Sequence, residues 1–124
     1  MIQADAQTPD GLWVVLKLEK MKGHTLEENQ EEGDRGFVSS TSAGWRLTVR
    51  ADDKIDPTLL ISLFRSEIEK ASGASPAAMQ PFYVYGVVVF EWRERKGFDD
   101  GTLLATLKEM VQKSRLKRAS LEAR

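Results

Sequence analysis

The sequence predicts an α+β (or mixed α/β) domain: about four strands in a mixed sheet packed by two helices, in the order β-β-β-α-β-α. Three observations carry that prediction. The run Phe82-Tyr83-Val84-Tyr85-Gly86-Val87-Val88-Val89-Phe90-Glu91-Trp92 is aromatic or β-branched at almost every position. An extended strand with this composition is apolar on both faces and needs cover on both. Two segments, beginning after Asp56 and near Asp99 or Asp100, repeat apolar residues at helical spacing, and two others alternate apolar with polar residues.

Residues 1–10 are small and polar and read as a flexible arm. Gly11 opens the first strand, where Leu12 to Leu16 are apolar and Leu16 and Leu18 then alternate with Lys17 and Glu19. Residues 22–36 form a long acidic loop with three glycines and almost no apolar residue; within 22–35, five acids face two bases. Residues 37–41 and 45–50 flank Ser42-Ala43-Gly44 as a β-hairpin, with Trp45, Leu47 and Val49 on its buried face.

Asp56-Pro57 is a helix start, a capping carboxylate followed by proline in the first turn. Leu60, Leu63, Phe64, Ile68 and Ala71 follow at helical spacing, and Gly73 is placed to cap the C-terminus. Lying between Val49 and Phe82, this helix is a candidate right-handed crossover that would make those two strands parallel. A connector at 74–81 leads to the apolar strand, and residues 95–98 turn into the second helix. That helix carries Leu103, Leu104, Leu107, Met110 and Val111 on one face. Two helices covering the sheet would meet the need of the 82–92 strand for cover on both sides. Nothing in the chain marks a linker, a repeat or a second domain, so residues 1–124 read as one unit.

With 124 residues, 41% hydrophobic and 30% charged, the chain has the balance of a globular protein able to bury a core. A net charge of −1 supplies no global attraction for nucleic acid or anionic membranes. The absence of cysteine removes disulfides, zinc–cysteine sites, iron–sulfur clusters and thiol catalysis. The longest apolar stretch is too short to span a bilayer as a helix, and the amino terminus does not read as a secretory signal. The expected setting is the cytoplasm, or a particle assembled there.

The catalytic inventory is poor. His24, the single histidine, sits between Gly23 and Thr25 in the acidic loop, where nothing holds it as a general base or as a metal ligand with Glu27, Glu28 and Glu31. Ser39, Ser40 and Ser42 lie in or beside the hairpin without a nucleophile elbow, and the glycines are spaced too widely for a phosphate loop. No cofactor and no metal site is expected. Glu91 at a strand end, with Asp52 and Asp53 at the end of a neighbouring strand, could share a magnesium ion in a metal-dependent hydrolase. A salt-bridged strand end is the commoner fate of such a glutamate.

Two charged surfaces remain. The acidic loop offers Glu27, Glu28, Glu31, Glu32 and Asp34. The basic C-terminal helix offers Lys113, Arg115, Lys117 and Arg118, with Arg124 beyond them, and six bases stand against two acids over 108–124. The leading expectation is therefore a non-enzymatic structural, assembly or protein-interaction domain. Its loop and helix would contact protein partners, as a homo-oligomer or in a larger assembly. By type rather than by motif, its size and composition suit a small component of a phage or mobile-element particle. The alternative is a nucleic-acid-binding domain using the basic helix, with Arg93, Arg95 and Lys96 extending the surface and Tyr83, Tyr85 and Trp92 available for base stacking.

Overall fold

A computed structural model describes residues 1–21, 44–73, 82–84 and 86–118. The class is α+β. Four strands of six to nine residues, β1 (Ile2–Gln7), β2 (Trp13–Met21), β3 (Gly44–Ala51) and β5 (Val87–Arg93), join a three-residue β4 (Phe82–Val84) in one sheet of spatial order β1-β2-β3-β5-β4. Helices α1 (Pro57–Ser72) and α2 (Asp100–Lys113) complete the described elements.

Every described pairing is antiparallel. The sequence led to a crossover placing the strands on either side of α1 in parallel; the structure differs because the apolar run is two strands. Gly86 takes φ 77°, which an L-residue rarely adopts, and its carbonyl accepts from the Ala51 amide at 3.0 Å. The chain reverses there. β5 then pairs with β3 antiparallel, and β4 is left as a short edge.

Residues 1–10 also differ from the expected arm, since Ile2–Gln7 pairs along β2 from Ile2 opposite Leu18 to Gln7 opposite Trp13. Ile2, Ala4 and Ala6 face the core side and Gln3, Asp5 and Gln7 the other, an alternation that small residues of low strand propensity disguise. Thr8 closes the connection to β2. Its buried hydroxyl donates to Asp10 at 2.6 Å and accepts from the Leu12 amide at 3.0 Å. The expected loop at 22–36 and the first hairpin arm at 37–41 lie outside the described residues.

Both helices pack on one face of the sheet, so the core has a single layer of contact. Val14, Leu16 and Leu18, Leu47 and Val49, and Val88 and Phe90 supply the strand side. From α1, Leu60, Phe64 and Ile68 point down a strict four-residue ridge that ends at Ser72 rather than Ala71, and the Ser72 hydroxyl donates to the Ile68 carbonyl. Phe64 meets Phe90 with ring centroids 6.4 Å apart. The helix limits follow the sequence: Asp56 accepts from the Thr58 amide at 2.9 Å, and Gly73 at φ 71° donates to the Glu69 carbonyl. Asp99 caps α2 by accepting from the Thr102 amide at 3.2 Å.

At one end of the sheet, Trp45 and Trp92 pack on Phe98 with centroids 5.1 and 5.9 Å away. Gly44 lies so close to β5 there that a Cβ would sit 2.6 Å from the Trp92 carbonyl oxygen.

Candidate functional site

Both described helices lie on one side, so among the described residues the other face of the sheet carries no helix. Register fixes its rows. Gln3, Lys17, Thr48 and Val89 run across the strands, followed by Asp5, Val15, Arg50 and Val87. Gln7 and Trp13 pair at one end, and Glu19, Arg46 and Glu91 form a row toward the other. Trp13 is 46% exposed, while Val15, Val87 and Val89 are half-buried.

The charges on this face divide into two groups. Arg46 donates from Nε to Glu91 at 2.8 Å, and its Nη1 lies 3.7 Å from Glu19, so one guanidinium ties three strands together. Its partners are about one-third exposed, and such a triad adds under about 1 kcal/mol, fixing register more than stability. Lys17 and Arg50 have no ion pair among the described residues. The result is an apolar patch with two cations and the exposed Asp5 beside it, none of the three in an ion pair among the described residues.

The basic surface expected on the C-terminal helix is built differently. α2 ends at Lys113; Ser114 takes extended angles, φ −109° and ψ 146°, and Arg115, Lys117 and Arg118 follow in an extended strap. The reason is Leu116, only 3% exposed, which a continuing helix would not deliver to the core. The strap is stitched to the start of α1: the Asp56 amide donates to the Leu116 carbonyl at 2.7 Å, and the Arg118 amide donates to the Lys54 carbonyl at 2.9 Å.

That docking brings Arg115 and Lys117 toward Asp10. Lys113 donates to Glu109 at 2.7 Å. Lys117 pairs backbone to backbone with Ile55. Asp10 is held below its ordinary 3.8, first by the Thr8 hydroxyl, with Lys117 and Arg115 adding attraction. Arg93, Arg95 and Lys96 lie beyond the opposite end of α2, about 21 Å away along fourteen residues of helix. The described residues therefore bring together no continuous basic surface of the kind that tracks a phosphate backbone.

The hydrolase set also comes apart. Glu91 faces Arg46, and six residues of extended β3 separate Arg46 from Asp52, about 20 Å. Asp52 instead accepts from the Lys54 amide at 3.0 Å. Among the described residues no group of three His, Asp or Glu side chains could hold a metal ion. The carboxyls held below their ordinary values, Asp10, Asp99 and Glu109, owe this to a turn hydroxyl, a helix cap and an ion pair respectively. His24, Glu27, Glu28, Glu31, Glu32, Asp34, Tyr85 and Arg124 lie outside the described residues, and so do Ser39, Ser40 and Ser42.

Comparison of the chain with protein-family profiles, with curated proteins and with solved structures finds no match. No helix among the described residues is long and apolar enough to cross a membrane.

Sequence reasoning missed Trp13 as a surface residue because the run Leu12 to Leu16 is apolar at every position and shows no alternation. The available signal was parity. Leu12, Val14, Leu16 and Leu18 share one face, so Trp13, Val15 and Lys17 must share the other.

Proposed function

We propose that this chain is a non-enzymatic assembly or protein-interaction module that engages a protein through the helix-free face of its sheet. The observation that carries this reading is Trp13. A large aromatic side chain nearly half exposed, beside half-buried valines on a flat antiparallel face, is the composition of an interface anchor. Lys17 and Arg50, without an ion pair among the described residues, suit a partner whose apolar centre is edged by carboxylates. A particle subunit is the narrower form of the same reading.

The test places a photo-crosslinking benzoylphenylalanine at position 13, and at the exposed Ser66 of α1 as a control, in the cell that makes the protein. A defined protein adduct from position 13 and none from position 66 is the expected result. Size-exclusion chromatography with light scattering and a 260/280 nm ratio completes it. Nucleic acid eluting with the chain, and no protein adduct at position 13, would overturn the reading.

A further inference from the structure

The outer edge of β1 is the largest piece of unsatisfied strand in the described structure. β1 ends the sheet, six residues long, and its sequence Ile-Gln-Ala-Asp-Ala-Gln contains no proline, no lysine and no bulge. Those are the devices that keep edge strands from pairing, and here a single carboxylate, Asp5, stands in their place. An open groove of about 710 Å³ touches this edge, bounded by Asp5, Ala6, Gln7 and Trp13 and by Lys108 and Gln112 from α2.

We infer that the occupant of this edge is β1 of a second copy, paired antiparallel about a two-fold axis, so that two sheets become one of ten strands. The inference rests on the assembly reading above and names one partner for it.

Three features argue for a copy rather than a foreign strand. The first is register. About a two-fold axis perpendicular to the sheet, opposed residues share a face, so the axis passes through Ala4 or Asp5. An axis through Asp5 would set two carboxylates directly opposite, which is destabilising; through Ala4, the Gln3 amide meets Asp5 of the second copy and Ile2 meets its Ala6. The sequence of β1 is complementary to itself in one register.

The second feature is the helix beneath. α2 follows β1 in the same direction: Phe98, just before it, stacks at the sheet end near Ile2, and Lys108 and Gln112 reach the groove beside Ala6 and Gln7. β1 spans about 20 Å and α2 about 21 Å, so an axis through Ala4 passes close to Ala105. Joined sheets bring two α2 helices side by side, and interaxial distances of about 8–10 Å demand small residues. Gly101 and Ala105 share the helix side of Lys108 and Gln112 by their spacing, and both are exposed.

The third is charge. α2 begins with Asp99 and Asp100 and ends with Lys108 and Lys113 on its surface. Antiparallel helices about Ala105 put Lys108 of each copy near the acidic first turn of the other, and their dipoles oppose.

The experiment uses the whole chain, whose lack of cysteine makes single introduced thiols unambiguous. Light scattering behind size exclusion at rising concentration should give twice the 13.9 kDa chain mass. Ala105→Arg, at an exposed helix position where circular dichroism can confirm the fold, should weaken dimerisation by about ten- to a hundredfold. Mild oxidation of Ala105→Cys should trap a covalent dimer, whereas Ser66→Cys should not. A chain that stays monomeric at all concentrations overturns the proposal. So does a dimer that Ala105→Arg leaves intact and Ala105→Cys fails to trap; adducts at position 13 would then still uphold the assembly reading.

Discussion

Replacing Leu116 by Ala tests the strap that ends the described chain. Leu116 is 3% exposed and sits three residues beyond the end of α2, held by backbone bonds to Lys54 and Asp56 on either side. A buried Leu→Ala change costs about 2–5 kcal/mol, the transfer of the lost methyls plus the cavity left behind. The groove beside it, lined by Leu59, Ser62, Leu63 and Arg115, opens to solvent. Water and side chains can therefore relax into the space, and we expect the lower end, about 2–3 kcal/mol. Guanidinium unfolding followed by tryptophan fluorescence measures this directly, with an unchanged denaturant slope showing that the native state keeps its extent. Leu59→Ala in the same groove is the internal comparison: Leu59 is 45% exposed and should cost under about 1 kcal/mol. If the two substitutions cost the same, or Leu116→Ala costs under about 0.5 kcal/mol, the strap is not part of the core and the helix-to-strap account of the basic residues fails.

Three further outcomes follow from individual contacts. Asp56→Ala removes the side-chain acceptor from the α1 cap and should cost about 1 kcal/mol in the same unfolding assay, with Asp56→Asn largely restoring it. Gly44→Ala would drive a methyl against the Trp92 carbonyl and should destabilise the fold, whereas Gly101→Ala, whose nearest atom outside the backbone of its own turn is 3.6 Å away, should leave it unchanged or stabilise it. Asp10, Asp99 and Glu109 are held below their ordinary values by the Thr8 hydroxyl, the Thr102 amide and Lys113 respectively. Their folded values lie below the unfolded ones, so each contributes stability that is complete above about pH 5 and is lost as pH falls through the folded values. Denaturation between pH 6 and pH 2 should show this loss, with a shallower slope in Asp99→Asn; an unaltered slope would contradict the assignment.

Both helix starts, and the end of α1, were legible in the sequence because those boundaries are written in local chemistry, whereas the end of α2 was not. Asp56-Pro57, Gly73 and Asp99 act on the chain within four residues, and the structure uses each as expected. The strands were legible only where burial produced strong alternation, as in Leu16 to Leu18 and Trp45 to Val49. β1 was hidden because Ala4 and Ala6 fill a shallow part of the core and read as a loose polar arm. The single glycine inside the 82–92 run was the sign that two strands were present, and a uniformly apolar composition masked it. The parallel crossover fell with it, since the reversal at Gly86 decides which half of the run meets β3.

The candidate site was less legible because charge in a sequence is counted, whereas charge on a surface is placed. Arg115, Lys117 and Arg118 read as an uncompensated basic helix when only neighbours along the chain are considered. Burial of Leu116 pulls them across the start of α1, and the acid that draws on Arg115 and Lys117, Asp10, comes from a segment about a hundred residues earlier. The converse holds on the sheet. Lys17 and Arg50 looked like ordinary outward residues of alternating strands, yet neither forms an ion pair among the described residues, and they share the face that shows Trp13. Desolvating a cation that already has a partner sacrifices an existing contact, while an unpaired one offers its full attraction to an incoming carboxylate. The same argument ranks the surfaces of this protein. The strap is bonded through its backbone to the start of α1 and keeps Arg115 and Lys117 within the field of Asp10, whereas the sheet face and its β1 edge combine an open strand edge with the exposed Trp13.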